Sequence, residues 1–169
     1  KIGDILIQQK NQSEALAYYN KSLIHNTGNY ELRQKIKNIA VKQDIFDKTV
    51  QKDQYEFINT KRAKKFGESG SLNFLYDESN IMIYKEGGTR HRNYIAYEII
   101  STPGIDLVKE IDLGLYSNYH IHAMEIIKTN GQRIPADRNG SHGVFNGLEV
   151  GDVVYLDYEY NSAGSGRFH

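Results

Sequence analysis

The stretch His120 to Tyr160, HIHAMEIIKTNGQRIPADRNGSHGVFNGLEVGDVVYLDYEY, decides how this chain is read. An apolar run, Ile121 to Ile127, meets the turn Thr129-Asn130-Gly131-Gln132, where Asn-Gly supplies the positive φ of a tight hairpin. A short apolar piece follows at Val144-Phe145, then a loop closed by Glu149-Val150-Gly151-Asp152. Gly147 and Gly151 stand where the backbone bends sharply, and Asp152 is placed to bond nearby amides. The stretch ends in a long strand, Val153 to Tyr160. Alternation puts Val154, Leu156, Tyr158 and Tyr160 on one face and Val153, Tyr155, Asp157 and Glu159 on the other.

Working outward, the period is already two from Leu72. Leu72 to Tyr76 and Ile81 to Tyr84 flank Asp77-Glu78-Ser79-Asn80, which reads as a hairpin. Gly87-Gly88 turns the chain again. A strand from Thr89 to Ser101 is expected to stop at Thr102-Pro103-Gly104, and Ile105 to Ile111 reads as a further strand. Hairpins repeated without intervening helices mean an antiparallel β region over residues 71–169.

Residues 1–43 read instead as helices. Ile2, Leu6 and Ile7 lie near one face of a first helix. Asn11 with Glu14 forms a capping box opening a second helix to about His25, with Leu16, Tyr19 and Leu23 at helical spacing. Gly28 suits a left-handed stop, and Asn29 caps a third helix carrying Leu32, Ile36 and Ile39. The order of Gly3, Ala15, Tyr19 and Ser22 resembles one tetratricopeptide repeat, with Thr27 where a proline is usual. One repeat cannot bury its own faces, so further repeats are expected ahead of Lys1. Residues 44–70 form a connection, with a short helix expected near Asp53 to Ile58. It carries the basic cluster Lys61-Arg62-Ala63-Lys64-Lys65 and a flexible Gly67 to Ser71.

Composition narrows the function classes. Lysine plus arginine equals aspartate plus glutamate at 21 each among 169 residues, so no global field favours nucleic acid or an anionic membrane. A lone basic cluster on a neutral chain reads as a solvated linker. No run reaches the roughly 18 to 20 apolar residues of a membrane span. The absence of cysteine removes thiol catalysis, thiolate metal sites and disulfides. Because the chain starts at Lys1 and not at methionine, it reads as a processed or excised piece.

Between them, Phe74-Leu75-Tyr76-Asp77, Met82-Ile83-Tyr84 with Gly87-Gly88, Glu125 to Gly131 and Val144 to Asp152 resemble the domain-of-unknown-function family 3857. The Lys128-Thr129-Asn130-Gly131 turn and the Phe145 to Asp152 loop are its most specific parts, and the resemblance covers about Leu72 to Phe168. Such domains sit ahead of a transglutaminase-like domain in bacterial envelope proteins, commonly behind tetratricopeptide repeats. The resemblance therefore implies a β-sandwich-type domain, a periplasmic or cell-envelope location (a cytoplasmic one being the alternative), and further strands beyond Phe168. It transfers no catalytic residue.

Candidate sites are few. His120 and His122 share a strand face at a spacing that suits zinc with a third ligand, but Glu125 falls on the opposite face of a regular strand. Met124 and Ile126, on the histidines' face, argue for a core position. His91, between Arg90 and Arg92, reads as an exposed rim. Asp137, Ser141 and His142 crowd into one loop with no nucleophile-elbow pattern, and Gly164-Ser165-Gly166 lacks the helix of a phosphate loop. The reading is α+β: a tetratricopeptide-like segment, a linker, and an antiparallel β-sandwich-type domain. Its expected role is a non-catalytic protein-binding or scaffolding module, with no cofactor and with protein partners or further domains of the same protein. The alternatives are a glycan-binding sandwich using exposed tyrosines, and a metal-dependent hydrolase using His120 and His122. Val154, Leu156, Tyr158 and Tyr160 are expected to form an exposed stripe that meets the partner.

Overall fold

The computed structural model describes residues 1–41, 53–62 and 70–163, and its architecture is mixed α+β, with helices leading and strands following. The helices are α1 (Ile2–Gln8), α2 (Gln12–His25), α3 (Tyr30–Ala40), α4 (Gln54–Lys61) and α5 (Thr102–Val108). The strands are β1 (Leu72–Ile83), β2 (Thr89–Ile99), β3 (Glu110–Asp112), β4 (Tyr119–Ile127), β5 (Arg133–Pro135), β6 (Asp137–Asn139), β7 (His142–Val144) and β8 (Val153–Ser162). They make a five-stranded sheet in the order β1-β2-β8-β4-β5 and a three-stranded sheet β3-β7-β6. The pairs β4–β5, β3–β7 and β6–β7 are antiparallel.

Contacts divide the chain differently from the order helices, linker, sheet. One compact unit comprises Lys1–Gln51, Ile81–His91 and Tyr160–His169; the other comprises Lys52–Asn80 and Arg92–Glu159. The division falls within β1, β2 and β8.

In the first unit the caps form as their sequences predict. Asn11 accepts from the Glu14 amide at 3.3 Å while its own Nδ2 donates to the Glu14 carboxylate at 2.7 Å, and Asn29 accepts from the Leu32 amide at 2.9 Å. Ala15, Tyr19 and Leu23 are the buried stripe of α2. A side chain at Gly3 would come within 2.5 Å of the Tyr19 ring, so α1 and α2 touch through a missing Cβ. The Tyr19 hydroxyl donates to Asp4 at 2.8 Å and Lys35 of α3 reaches the same oxygen at 2.9 Å. Arg33 fixes the turn before α3: its guanidinium donates to Thr27 O at 2.8 and 3.1 Å and to Gly87 O at 3.1 Å, and lies 3.5 Å from the centre of the Tyr84 ring. The left-handed cap expected at Gly28 does not form, since its φ is not positive. That glycine is required for space, because a Cβ there would stand 2.7 Å from the Ala163 amide.

In the second unit the core gathers Ile99, Val108, Met124, Ile126, Phe145, Val154 and Leu156. The three-stranded sheet meets this core where Gly143 of β7 passes Met124, so closely that a Cβ would strike the sulfur. Helix α4 begins at Asp53, whose carboxylate accepts from the Tyr55 and Glu56 amides at 3.1 and 3.0 Å.

Three expectations are corrected here. Asp77 to Asn80 does not turn: β1 runs unbroken for 12 residues. The Tyr76 hydroxyl and the Asn80 amide both donate to Glu78, at 2.8 and 2.7 Å, so alternate polar side chains brace one another along the extended strand. Thr102-Pro103-Gly104 starts a helix, not a stop, because proline is tolerated in the first helical turn, and α5 replaces most of the strand expected at Ile105 to Ile111. The exposed stripe on the last strand does not exist as such. β8 is central in its sheet, Val154 and Leu156 are 0% and 1% exposed, and Tyr158 packs against the same core. Tyr160 is half-buried and stacks on His91 at 4.5 Å. Lys64, Lys65, the Gly67 to Ser69 stretch and Gly164 to Gly166 lie outside the described residues.

Candidate functional site

The two most specific pieces of sequence, Lys128 to Gly131 and Phe145 to Asp152, meet in space. The Asn130-Gly131 turn closes β4 onto β5, with Gly131 at φ 85°, the Asn130 side chain accepting from Gln132 N at 2.9 Å, and Lys128 N donating to Gln132 O at 2.8 Å. Gly147 and Gly151 take φ 76° and 95° in the loop before β8. Lys128 joins the two. Its ammonium donates to Gly147 O at 2.9 Å, to Glu149 at 2.7 Å and to Asp152 at 2.7 Å, using all three of its donors. Asp152, 1% exposed, also accepts from the Glu149 amide at 2.8 Å. Its carboxylate, then that of Glu149, holds the Lys128 ammonium above the usual lysine range. From the end of α4, Arg62 donates to Gly151 O, Ile127 O and Lys128 O at 3.0 to 3.1 Å. Of the basic cluster, Arg62 is therefore an internal clamp and not a solvated charge.

A second polar cluster lies on the sheet face opposite the apolar core. Arg92 of β2 grips Asp157 of β8 with two bonds, Nε to Oδ1 at 2.7 Å and Nη2 to Oδ2 at 2.8 Å. Its third nitrogen lies 2.6 Å from His122 Nε2 and 3.4 Å from Glu159. His122 Nε2 stands 3.6 Å from the other Glu159 oxygen, and the His120 and His122 rings meet edge-on at 4.4 Å. Burial pushes the Asp157 carboxyl up, Arg92 acting against it, and burial pushes His120 down. Farther along, Glu125 accepts from Tyr55 at 2.8 Å and from Arg133 at 2.9 and 3.1 Å.

These contacts revise the reading of β4. His122 shares a face with Arg92 and Glu159, yet Met124 and Ile126 belong to the core on the other side. Side-chain alternation therefore slips by one residue between His122 and Met124. The histidines are on the ionic face, with Glu125, and not on the core face. Among the described residues no group of three or more histidine, cysteine, aspartate or glutamate side chains is arranged to hold a metal ion.

The remaining candidates disperse. Ser141 donates to Asp112 at 3.0 Å and accepts from the Leu115 amide at 3.3 Å, while Asp137 accepts from Asn146 at 2.7 Å, so serine, histidine and aspartate do not converge. His91 lies 2.9 Å from the Thr89 hydroxyl, and burial pushes its pKa down. Sequence reasoning missed the pairing of Arg92 with Asp157 and Glu159, and missed Lys128 as the tie between the two signature segments. The available signal was the acidic pair Asp157 and Glu159, two apart on a strand whose other face is apolar.

No family model and no curated protein matches the chain. Among solved structures it is similar to a "putative protease" from Parabacteroides distasonis ATCC 8503, at 14% identity and a TM-score of 0.47 over 58% of this chain. The match spans 24% of that protein's length.

Proposed function

We propose that this chain carries a non-catalytic protein-binding or scaffolding module of the domain-of-unknown-function 3857 type, placed behind a tetratricopeptide-like helical pair in a cell-envelope protein. One observation carries the reading: the side chains best suited to chemistry are consumed by one another. Lys128 has no donor left after Gly147, Glu149 and Asp152, and Arg92 is forked onto Asp157. A catalytic group needs a partner aimed at substrate, with reach of about 3 Å to a reacting atom. Here the pairings run between strands and loops, which suits a scaffold. The contact of Gly3 with Tyr19 supports the repeat-like pairing of α1 with α2. No helix among the described residues is long and apolar enough to cross a membrane.

A glycan-binding reading has less support, because Tyr19, Tyr76, Tyr94 and Tyr155 are buried. The hydrolase reading lacks a third ligand beside His120 and His122 among the described residues. The test is turnover by the purified chain on peptidase, transglutaminase and esterase substrates, with and without added zinc. Background rates in every assay are expected. Turnover abolished by His122→Ala or Glu159→Gln, in variants that keep the native circular dichroism, overturns the proposal.

A further inference from the structure

The strands that end a sheet among the described residues differ in how they are closed off. β3, β5 and β6 have three residues each, and β5 ends in Pro135, which has no amide hydrogen to offer. β1 has 12 residues, with no proline, glycine, lysine or arginine among them. It is the outermost strand of its sheet, so among the described residues its outward amides and carbonyls have no strand beside them. Over residues 74–80 this edge is held in shape by its own side chains. Phe74 is 60% exposed and meets Tyr97 edge-on at 4.9 Å. Asp77 and Ser79 are exposed on one face, and Asp77 makes no ion pair among the described residues. On the other face the Tyr76 hydroxyl and the Asn80 amide both donate to Glu78, which keeps the strand extended.

Charge selects what can lie along this edge. The midpoint of β1 falls between Asp77 and Glu78, so a second copy laid antiparallel along the whole strand would set Asp77 opposite Glu78 twice over. Like charges directly opposite one another are destabilising, and opposite charges are stabilising. The edge therefore resists its own copy and admits a strand with a cation at that place. We infer that residues 74–80 of β1 are a docking edge for an extended segment of another protein, which adds to the sheet as a further strand. That segment carries lysine or arginine opposite Asp77 and an apolar side chain against Phe74. Backbone hydrogen bonds supply the affinity, and the side chains at alternate positions supply the selectivity. The inference rests on the reading of the chain as a protein-binding module and gives that reading a surface and a partner chemistry.

The experiment is nitrogen-15 NMR of the backbone amides of the native chain, titrated with two short capped peptides of alternating threonine and valine. One peptide has lysine at its centre and the other has glutamate there. Expected with the lysine peptide are shifts concentrated at residues 74–80 and an affinity about two- to tenfold above that of the glutamate peptide. In Asp77→Lys, a substitution at an exposed position, that preference is expected to disappear or reverse. Equal or inverted affinities in the native chain overturn the inference, as do shifts that lie elsewhere, no binding of either peptide, or a preference that Asp77→Lys leaves unchanged. So do shifts at residues 74–80 that follow protein concentration before any peptide is added, the mark of a second copy on the edge. The comparison of peptides needs no substitution, so it decides the matter even if the variant does not fold. Each of these failures leaves the non-catalytic reading standing, because the turnover assays decide that separately.

Discussion

Lys128 makes two carboxylate contacts of equal length, 2.7 Å to Glu149 and 2.7 Å to Asp152, and burial separates them: the Glu149 side chain is 73% exposed, that of Asp152 only 1%. Consider Lys128→Met, which keeps the apolar stem and removes the charge. Glu149 loses a partner but returns to water at little cost, under about 1 kcal/mol. Asp152 keeps the Glu149 amide but is left buried without the ammonium that offsets its charge, a loss of roughly 3–5 kcal/mol. Urea unfolding followed by circular dichroism is therefore expected to show a loss of roughly 3–5 kcal/mol for Lys128→Met at pH 7. Glu149→Gln is expected to lose under about 1 kcal/mol at pH 7. Equal losses for the two variants, or a Lys128→Met loss below about 1 kcal/mol, would refute the claim that burial and not contact length sets the energy.

Other perturbations test other joints. Gly143→Ala drives a methyl into the Met124 sulfur in the core, and thermal melting should register about 1–3 kcal/mol of destabilisation. Gly88→Ala combines a φ of 81° with a Cβ 2.7 Å from Thr27 O and 2.9 Å from Ser162 O; a loss above about 2 kcal/mol is expected in the same melt. Tyr55→Phe removes the hydroxyl that Glu125 accepts at 2.8 Å, for a loss of about 1 kcal/mol by urea unfolding. The Asp4 carboxyl is held well below its ordinary range by Lys35 and by the Tyr19 hydroxyl. A depressed carboxylate stabilises above its unfolded pKa and loses that contribution as pH falls below it, so Asp4→Asn should flatten the acid limb of the stability profile while leaving its slope above about pH 5 unchanged.

What was legible in the sequence was local. Asn130-Gly131 specifies its turn through φ, and Asn11, Asn29 and Asp53 specify helix starts by satisfying free amides. What failed was long-range or ambiguous at short range. Asp77-Glu78-Ser79-Asn80 has the composition of a turn, but β1 occupies the sheet edge, where polar side chains cost nothing and Glu78 can bridge its i±2 neighbours. Pro103 punctuates a chain in either direction, as a helix start or a strand stop; in the fold it opens α5, with Gly104 packed closely on Ser71. The slip in β4 has no signature in alternation, since it breaks alternation. Apolar residues at Val154 and Leu156 cannot by themselves say whether their strand is central or terminal. That depends on pairing with residues distant in sequence.

The ionic face of the sheet explains how so neutral a chain fixes the place of β8. Charges balance at 21 against 21 overall, and several of the buried ones balance locally: Asp157 with Arg92, Asp152 with Lys128, Glu125 with Arg133. Buried pairs of this kind contribute little net stability, because desolvation offsets attraction. Their larger effect is on the alternatives. A slip of β8 by one residue exchanges its two faces, carrying Asp157 and Glu159 into the core of Ile99, Met124, Ile126 and Phe145, and setting Val154 and Leu156 against Arg92. An unpaired carboxylate in that core would cost several kcal/mol, and Arg92 would lose its fork at the same time. The correct register is thus separated from its neighbour by penalties on both faces at once. A sheet apolar on both faces would carry no such penalty, and the acidic residues of β8 are best understood as what makes its apolar residues point one way.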